Sequence, residues 1–373
     1  GCALPHLETH PSVLVLDEST FIKSNTARRT KAVQALADSN SLESAIPHVI
    51  ALSGTPILNR PIEFYNTINL IDPKIFPNWW KFTTDFCGRF QKDIYVRNKK
   101  GKVVKRSIND FSGATNIDEL YEILVSTCML RRLKKDVLKD LPDKTRSVIP
   151  LEIDNRKEYT EAENDFISWL KNKEGVVIAN KAEKAESLVK FGKLQQLSMR
   201  GKIKPAISWI HGVIDNDEKL VVFVTRHETA DALMEEFGDK AVKMTGKENL
   251  KQRQEAVDRF QNDNSVLLFI GMIDSQGQPA GVGITLVVST YVAFIGFPWS
   301  PAILSQAEDR CHRIGQKNAV NVYYLVAEKT IEEDIIALLD QKREVLRRVL
   351  DGEAPEEGSI LTELLNGYRN REV

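Results

Sequence analysis

The chain has 373 residues, 42% of them hydrophobic and 28% charged, which is the make-up of a globular protein of two or three domains and not of a disordered chain. Lys and Arg number 51 against 52 Asp and Glu, for a formal net charge of −1, so a globally basic nucleic-acid binder is not indicated and any such surface must be local. The longest apolar stretch, residues 266–273, is far shorter than the ~20 residues of a membrane span.

The first ten residues lack the basic and apolar regions of a signal peptide, and the first strand pattern follows almost at once, so the sequence reads as entering a domain partway. Residues 13–16 (VLVL) and 49–52 (VIAL) are buried-strand candidates, with a helical pattern over 25–37 between them. Strands joined by crossover helices predict a parallel sheet. From 57 to about 127 aromatics become dense, and the pattern changes to a helical insertion. Those aromatics read as core by their spacing, with nucleic-acid stacking as the alternative. Residues 97–106 (RNKKGKVVKR) place six Lys/Arg around a Gly and read as a basic hairpin. A second basic stretch, 129–139, has helical spacing up to Pro142, and residues 155–197 are charged and helical. From 205 the alternation returns, with strand candidates at 220–224, 241–244, 266–270, 292–296 and 320–326 and helices at 228–237, 250–260 and 303–311. An amphipathic helix over 330–350 follows. The four cysteines, Cys2, Cys87, Cys128 and Cys311, form no C-x-x-C and no Cys/His cluster, which argues against a disulfide framework or a zinc site and fits a reducing, intracellular compartment.

Three constellations could carry chemistry. Asp17-Glu18 ends an apolar strand; a carboxylate there can hold Mg²⁺ and its neighbour can orient water, or the pair is simply a solvated strand end. Ser53-Gly54-Thr55 also follows a strand, as a hydrogen-bonding sensor or as an ordinary turn. Gln306, Arg310 and Arg313 are spaced to share one helix face. Two guanidinium forks there suit a phosphate that gains charge in a transition state, and salt bridges to Glu308 and Asp309 are the alternative.

The ordered segments VLVLDEST, ALSGTPILNRP, MLRRLKKDVLKDLPDK, KLVVFVTRHE, AGVGITL and FPWSPAILSQAEDRCHRIGQ resemble the SNF2 family of superfamily 2 ATPases, nearest its annealing-helicase (HepA-related) branch. The resemblance implies an α/β fold of two RecA-like parallel-sheet lobes, the first incomplete, with helical insertions. Residues 1–150 would be the end of the first lobe, 151–200 a helical linker or protrusion, and 201–373 the second lobe. It implies ATP and Mg²⁺ as cofactors, Asp17 as the metal ligand, Glu18 as the base, and Arg310 and Arg313 as arginine fingers. Gln306, Gly281, Gly283, Ser53, Gly54 and Thr55 would contact the nucleotide or couple its hydrolysis to motion. Double-stranded or forked DNA is the implied partner, with no membrane role. Arg131, Arg132 and Lys134 of the bridge, together with Thr225 and Arg226, are the implied DNA contacts.

The sequence departs from that family's pattern in its phosphate loop. The four Gly-Lys pairs continue into Val103, Leu194, Ile203 and Glu248, so none completes G-x-x-x-x-G-K-[ST]. The phosphate cradle is therefore expected upstream of Gly1 or not at all. Gly246, Arg253 and Phe260 match a second-lobe stretch of the family instead. Two functions stay open: a DNA-dependent ATPase and translocase, present here without its phosphate loop, or a catalytically inactive module that binds DNA or a partner.

Overall fold

The computed structural model describes residues 12–37, 46, 48–54, 60–97, 103–111, 113–132, 134–171, 181–273 and 283–351. They fall into two compact units, Gly1–Asp93 with Lys105–Arg131 and Lys342–Ser359, and Ile94–Val104 with Arg132–Gln341 and Ile360–Val373.

In the first unit β1 (Val13–Leu16), α1 (Arg28–Ala37) and β2 (His48–Ala51) give two parallel strands paired from Val13↔His48 to Leu16↔Ala51. Both strands were expected to be buried. Instead Val15 is 55% and Ile50 49% exposed. The apolar composition fits a strand covered on both faces, but among the described residues α2 (Tyr65–Ile71) is the α-helix that packs on β2. The insertion then follows as α3 (Trp79–Phe86), β3 (Phe90–Arg97), β4 (Val103–Asp110) and α4 (Ile117–Thr127). Pro77 precedes α3, and Asn78 caps it by accepting the Lys81 amide at 3.1 Å. Phe64, Ile68, Phe76, Phe82, Phe86, Leu120 and Leu124 form one core, with Phe76 edge-on to Phe82 and Phe86. Most of the aromatic-rich segment is thus core, as its spacing indicated. Strands β3 and β4 pair with each other; residues 98–102 of the basic hairpin expected at 97–106 lie outside the described residues.

The second unit begins with α5 (Lys134–Val137), a single turn where a longer basic helix was expected, and β5 (Lys144–Leu151). It continues through α6 (Arg156–Lys171), α7 (Lys181–Ile214), β6 (Leu220–Val224), α8 (His227–Phe237), β7 (Ala241–Met244), α9 (Leu250–Asn262), β8 (Leu268–Met272), β9 (Tyr291–Phe294), α10 (Pro301–Glu308), β10 (Val320–Ala327) and α11 (Ile331–Asp351). The sheet is all parallel in the order β5-β10-β9-β6-β8-β7, which is the α/β class expected. Its central strands are continuous apolar runs because both faces are covered. In β6, Val221 and Phe223 join one core while Leu220, Val222 and Val224 join the other.

Two differences from the sequence reading have clear causes. β5 carries Pro150 and charged residues and so lacks a strand signature, yet it sits at the edge of the sheet, where a missing amide donor is tolerated. Helix α7 runs through Pro205 to Ile214, beyond the 155–197 over which a helical pattern was read. A proline leaves the carbonyl four residues earlier without its helical donor. That carbonyl, Gly201, accepts the Asp154 amide at 3.0 Å instead. A Cβ at 201 would lie 1.8 Å from Asn155 Oδ1 and 2.8 Å from Ile153 Cβ, so the close approach requires glycine.

Candidate functional site

In the first unit the predicted residues gather at the carboxyl ends of β1 and β2. The Leu52 amide donates to the Leu16 carbonyl at 2.8 Å, and the Ser19 amide donates to the Leu52 carbonyl at 3.0 Å. This exchange brings Asp17-Glu18 and Ser53-Gly54 to the same edge of the sheet. Asp17 is exposed and accepts the Glu18 amide at 3.0 Å. Glu18 is half-buried with φ 49° and ψ 54°, a left-handed conformation that costs a non-glycine residue of order 1 kcal/mol. Ser19 and Thr20 beyond it are buried. Thr55 lies outside the described residues.

In the second unit α10 ends at Glu308, so Arg310 and Arg313 do not share a helix face with Gln306 as their spacing suggested. They meet by another route. Arg310 Nε donates to the Gln306 carbonyl at 3.1 Å and its Nη1 to the Ile284 carbonyl at 3.4 Å. Arg313 Nη1 approaches the same carbonyl at 3.5 Å and Thr285 Oγ1 at 3.4 Å. Both guanidinium groups therefore converge on the residues just after Gly283, whose φ is +79°. Gly281 lies outside the described residues. Gly283, Ile284 and Thr285 also line a cleft of about 580 Å³ with Arg253 and Gln254 of α9. Arg253 bonds back to the Glu248 and Gly246 carbonyls at 3.0 and 3.3 Å, and Phe260 is fully buried.

The turn that carries the arginines is held by residues that sequence reasoning missed. Glu308 was considered as a partner for the arginines. Its carboxylate instead takes a bidentate pair of bonds from Arg146 of β5 at 3.1 and 2.7 Å, the Lys144 ammonium at 2.9 Å and the Tyr324 hydroxyl at 2.6 Å. Burial alone would raise its pKa, but Lys144 and Arg146 hold it down at about 2. Asp309 pairs with Lys144 at 3.0 Å and Lys134 at 2.6 Å. His312 Nε2 donates to the Pro142 carbonyl at 2.7 Å, and burial keeps its pKa below the ordinary value. The Gln316 amide closes the turn by donating to Val287 and Ser289 carbonyls, each at 3.0 Å. Lys134, predicted as a DNA contact, thus sits on Asp309 and the His312 carbonyl at 3.2 Å. Arg132 is exposed and Arg131 half-buried.

Thr225 and Arg226 lie at the carboxyl end of β6 and line a 340 Å³ cavity with Gln195, Phe297 and Trp299. Gly296 lets this edge close, because a Cβ there would stand 2.2 Å from Thr225 Oγ1. Beneath it the buried Lys202 ammonium pairs with the Glu332 carboxylate, which Ser198 Oγ also reaches at 3.0 Å. Among the described residues no cluster of three or more His, Cys, Asp or Glu could hold a metal ion, and no helix is long and apolar enough to cross a membrane.

Comparison with known families matches residues 5–202 to the SNF2-related domain and residues 201–315 to the helicase conserved C-terminal domain. A Caenorhabditis elegans homolog of SWI/SNF-related matrix-associated actin-dependent regulator of chromatin subfamily A-like protein 1 is 33% identical over 90% of this chain and 45% of its own length. The DNA annealing helicase and endonuclease ZRANB3 of Mus musculus is 30% identical over 91% of this chain and 30% of its own. The chain thus spans less than half the length of these relatives. The solved Sulfolobus solfataricus SWI2/SNF2 ATPase core in complex with dsDNA is 25% identical with a TM-score of 0.48, covering 98% of this chain and 74% of that one.

Proposed function

This chain belongs to the SNF2-related family of helicase-like ATPases, and from that premise we propose that it is part of an ATP-dependent translocase on double-stranded or forked DNA. The similarity to the DNA annealing helicase and endonuclease ZRANB3 favours the annealing-helicase branch within that family. The observation that carries the reading is the convergence of Arg310 and Arg313 on Ile284, beside an open cleft. Two forks held on one carbonyl are pre-positioned for the charge that a transferring phosphoryl group spreads over its oxygens.

The other roles follow from chemistry. Asp17 is an exposed carboxylate at a strand end, which suits Mg²⁺, a cation that keeps waters and takes further ligands from phosphate oxygens. That ion supplies charge neutralisation when bound. Glu18 orients and deprotonates the attacking water. Ser53, Gly54 and Thr55 relay the state of that pair, and Gly281 and Gly283 give backbone room at the nucleotide. Arg131, Arg132, Thr225 and Arg226 take DNA phosphates, which position the protein without reading sequence. Lys134 joins them only by leaving Asp309. Such a protein works inside the cell, in the cytoplasm and nucleoid or in the nucleus.

Within these 373 residues no phosphate loop occurs, and this favours a second reading, a module that binds DNA without hydrolysis. One pair of measurements separates the two. Fused to its in-frame upstream sequence, the chain should hydrolyse ATP with Mg²⁺ and DNA, and Arg313→Ala should lower that rate about 10³-fold, as losses of arginine fingers do. The 373-residue chain alone should show negligible turnover. Hydrolysis by the extended protein that Arg313→Ala leaves untouched would remove the finger role. An authentic start codon at this chain's beginning would favour the module.

A further inference from the structure

The structure sorts the aromatic segment in a way that the ATPase reading does not use. Phe64, Phe76, Phe82 and Phe86 are buried. Trp80 on α3 and Phe90 at the start of β3 are each 51% exposed. Trp80 is not an isolated surface residue. Its ring meets Trp79 edge-on at 4.9 Å, and Trp79 meets Phe111 edge-on at 4.9 Å. These contacts fix the indole from one side. The Arg89 guanidinium lies over the Trp80 ring, 4.9 Å from its centroid.

Arg89 is held in place. Its Nη1 donates to Thr84 Oγ1 at 3.2 Å, and the Thr84 hydroxyl donates to the Trp80 carbonyl at 2.9 Å. The nearby Asp85 carboxylate is already paired with Lys81 at 2.7 Å. Lys105 and Arg106 are exposed on β4, the strand paired with β3.

We propose that Trp80, with Arg89 laid on its ring, is a stacking platform for the bases of unpaired nucleic acid. An exposed ring stacks on any base, because every base has a π-face, and a planar guanidinium stacks as the ring does while drawing the phosphate. A guanidinium on an exposed indole is a weaker contact than a base on an indole, so the base displaces or extends the arginine at no net loss. A duplex offers its bases only at ends and openings. The platform therefore takes single strands, separately from the phosphate contacts proposed at Thr225 and Arg226. It uses none of the nucleotide-hydrolysis residues and stands or falls apart from them.

The test uses the chain as it is, with fluorescently labelled oligothymidylate of about twelve nucleotides, a length within the site sizes of single-strand binders. A duplex and an abasic strand of equal length are the comparisons. Trp80→Ala should weaken oligothymidylate binding about 10- to 100-fold, the loss that one stacked aromatic gives, and leave duplex binding within about twofold. Trp80→Phe should restore most of the affinity, and the wild-type chain should prefer the thymidylate to the abasic strand. Thermal melting checks that the exposed substitution leaves the fold intact. Equal affinity of Trp80→Ala and wild type, equal losses on strand and duplex, or no preference over the abasic strand overturns the proposal. Absence of oligonucleotide binding by the wild type overturns it too, and leaves the face to a protein partner.

Discussion

Glu308 is the residue whose surroundings are most demanding. Its carboxylate is buried between a guanidinium, an ammonium and a phenol. Breaking such a buried cluster by deleting one partner costs about 3–5 kcal/mol, because the remaining charges lose their counter-ion. Glu308→Ala should therefore melt well below wild type, and Glu308→Gln should lie between them. The pH dependence has a definite sign. The folded pKa, about 2, is below that of the unfolded group, near 4.3. The stabilisation is fully present above about 4.3 and fades as the pH falls toward 2. Urea melts between pH 6 and 3 should show a drop in wild type that Glu308→Gln lacks; parallel curves would mean that the pair does not hold the turn. The motif singled out Arg310 and Arg313, and both side chains reach the Ile284 carbonyl. What sets the arginine turn was not legible, because Arg146 is 162 positions away from Glu308 and no local spacing reports such a partner.

At the level of elements, the long apolar strands of the second sheet could be read directly, since residues covered on both faces write their burial into the sequence. The elements that escaped are those whose stability comes from a neighbour. β5 is a strand because β10 offers it a ladder, and α7 survives its proline because Asp154 occupies the freed carbonyl. The strands β1 and β2 erred in the opposite direction. Their composition says buried, and one face of the pair is exposed while the other is half-buried. The approach at Gly201 gives a sharp expectation. Gly201→Ala, at a helix position where alanine is normally the better residue, should destabilise the second unit by about 1–3 kcal/mol, the usual cost of overpacking. Calorimetry would register it as a lower melting temperature, and a higher one would show that Asn155 moves aside freely.

For the whole molecule, the sequence conveyed the class of fold and the order of the motifs, because these are spread along the chain as compact signatures. The route by which distant segments support one another was not written there. The anchoring of Glu308 by Lys144 and Arg146 bears on how the protein can be divided. The helicase C-terminal signature starts at 201, and a fragment of that half could begin there, or at 152 just after β5 and ahead of α6. Either cut discards both cations and strands an anion inside the protein. The forfeited 3–5 kcal/mol or so is comparable with the entire folding free energy of a modest domain, about 5–15 kcal/mol. A fragment opening at residue 132 should melt cooperatively in solution, whereas its twin opening at 152 should be poorly soluble or molten. Sharp, matching transitions from the two would mean that the severed stretch is dispensable.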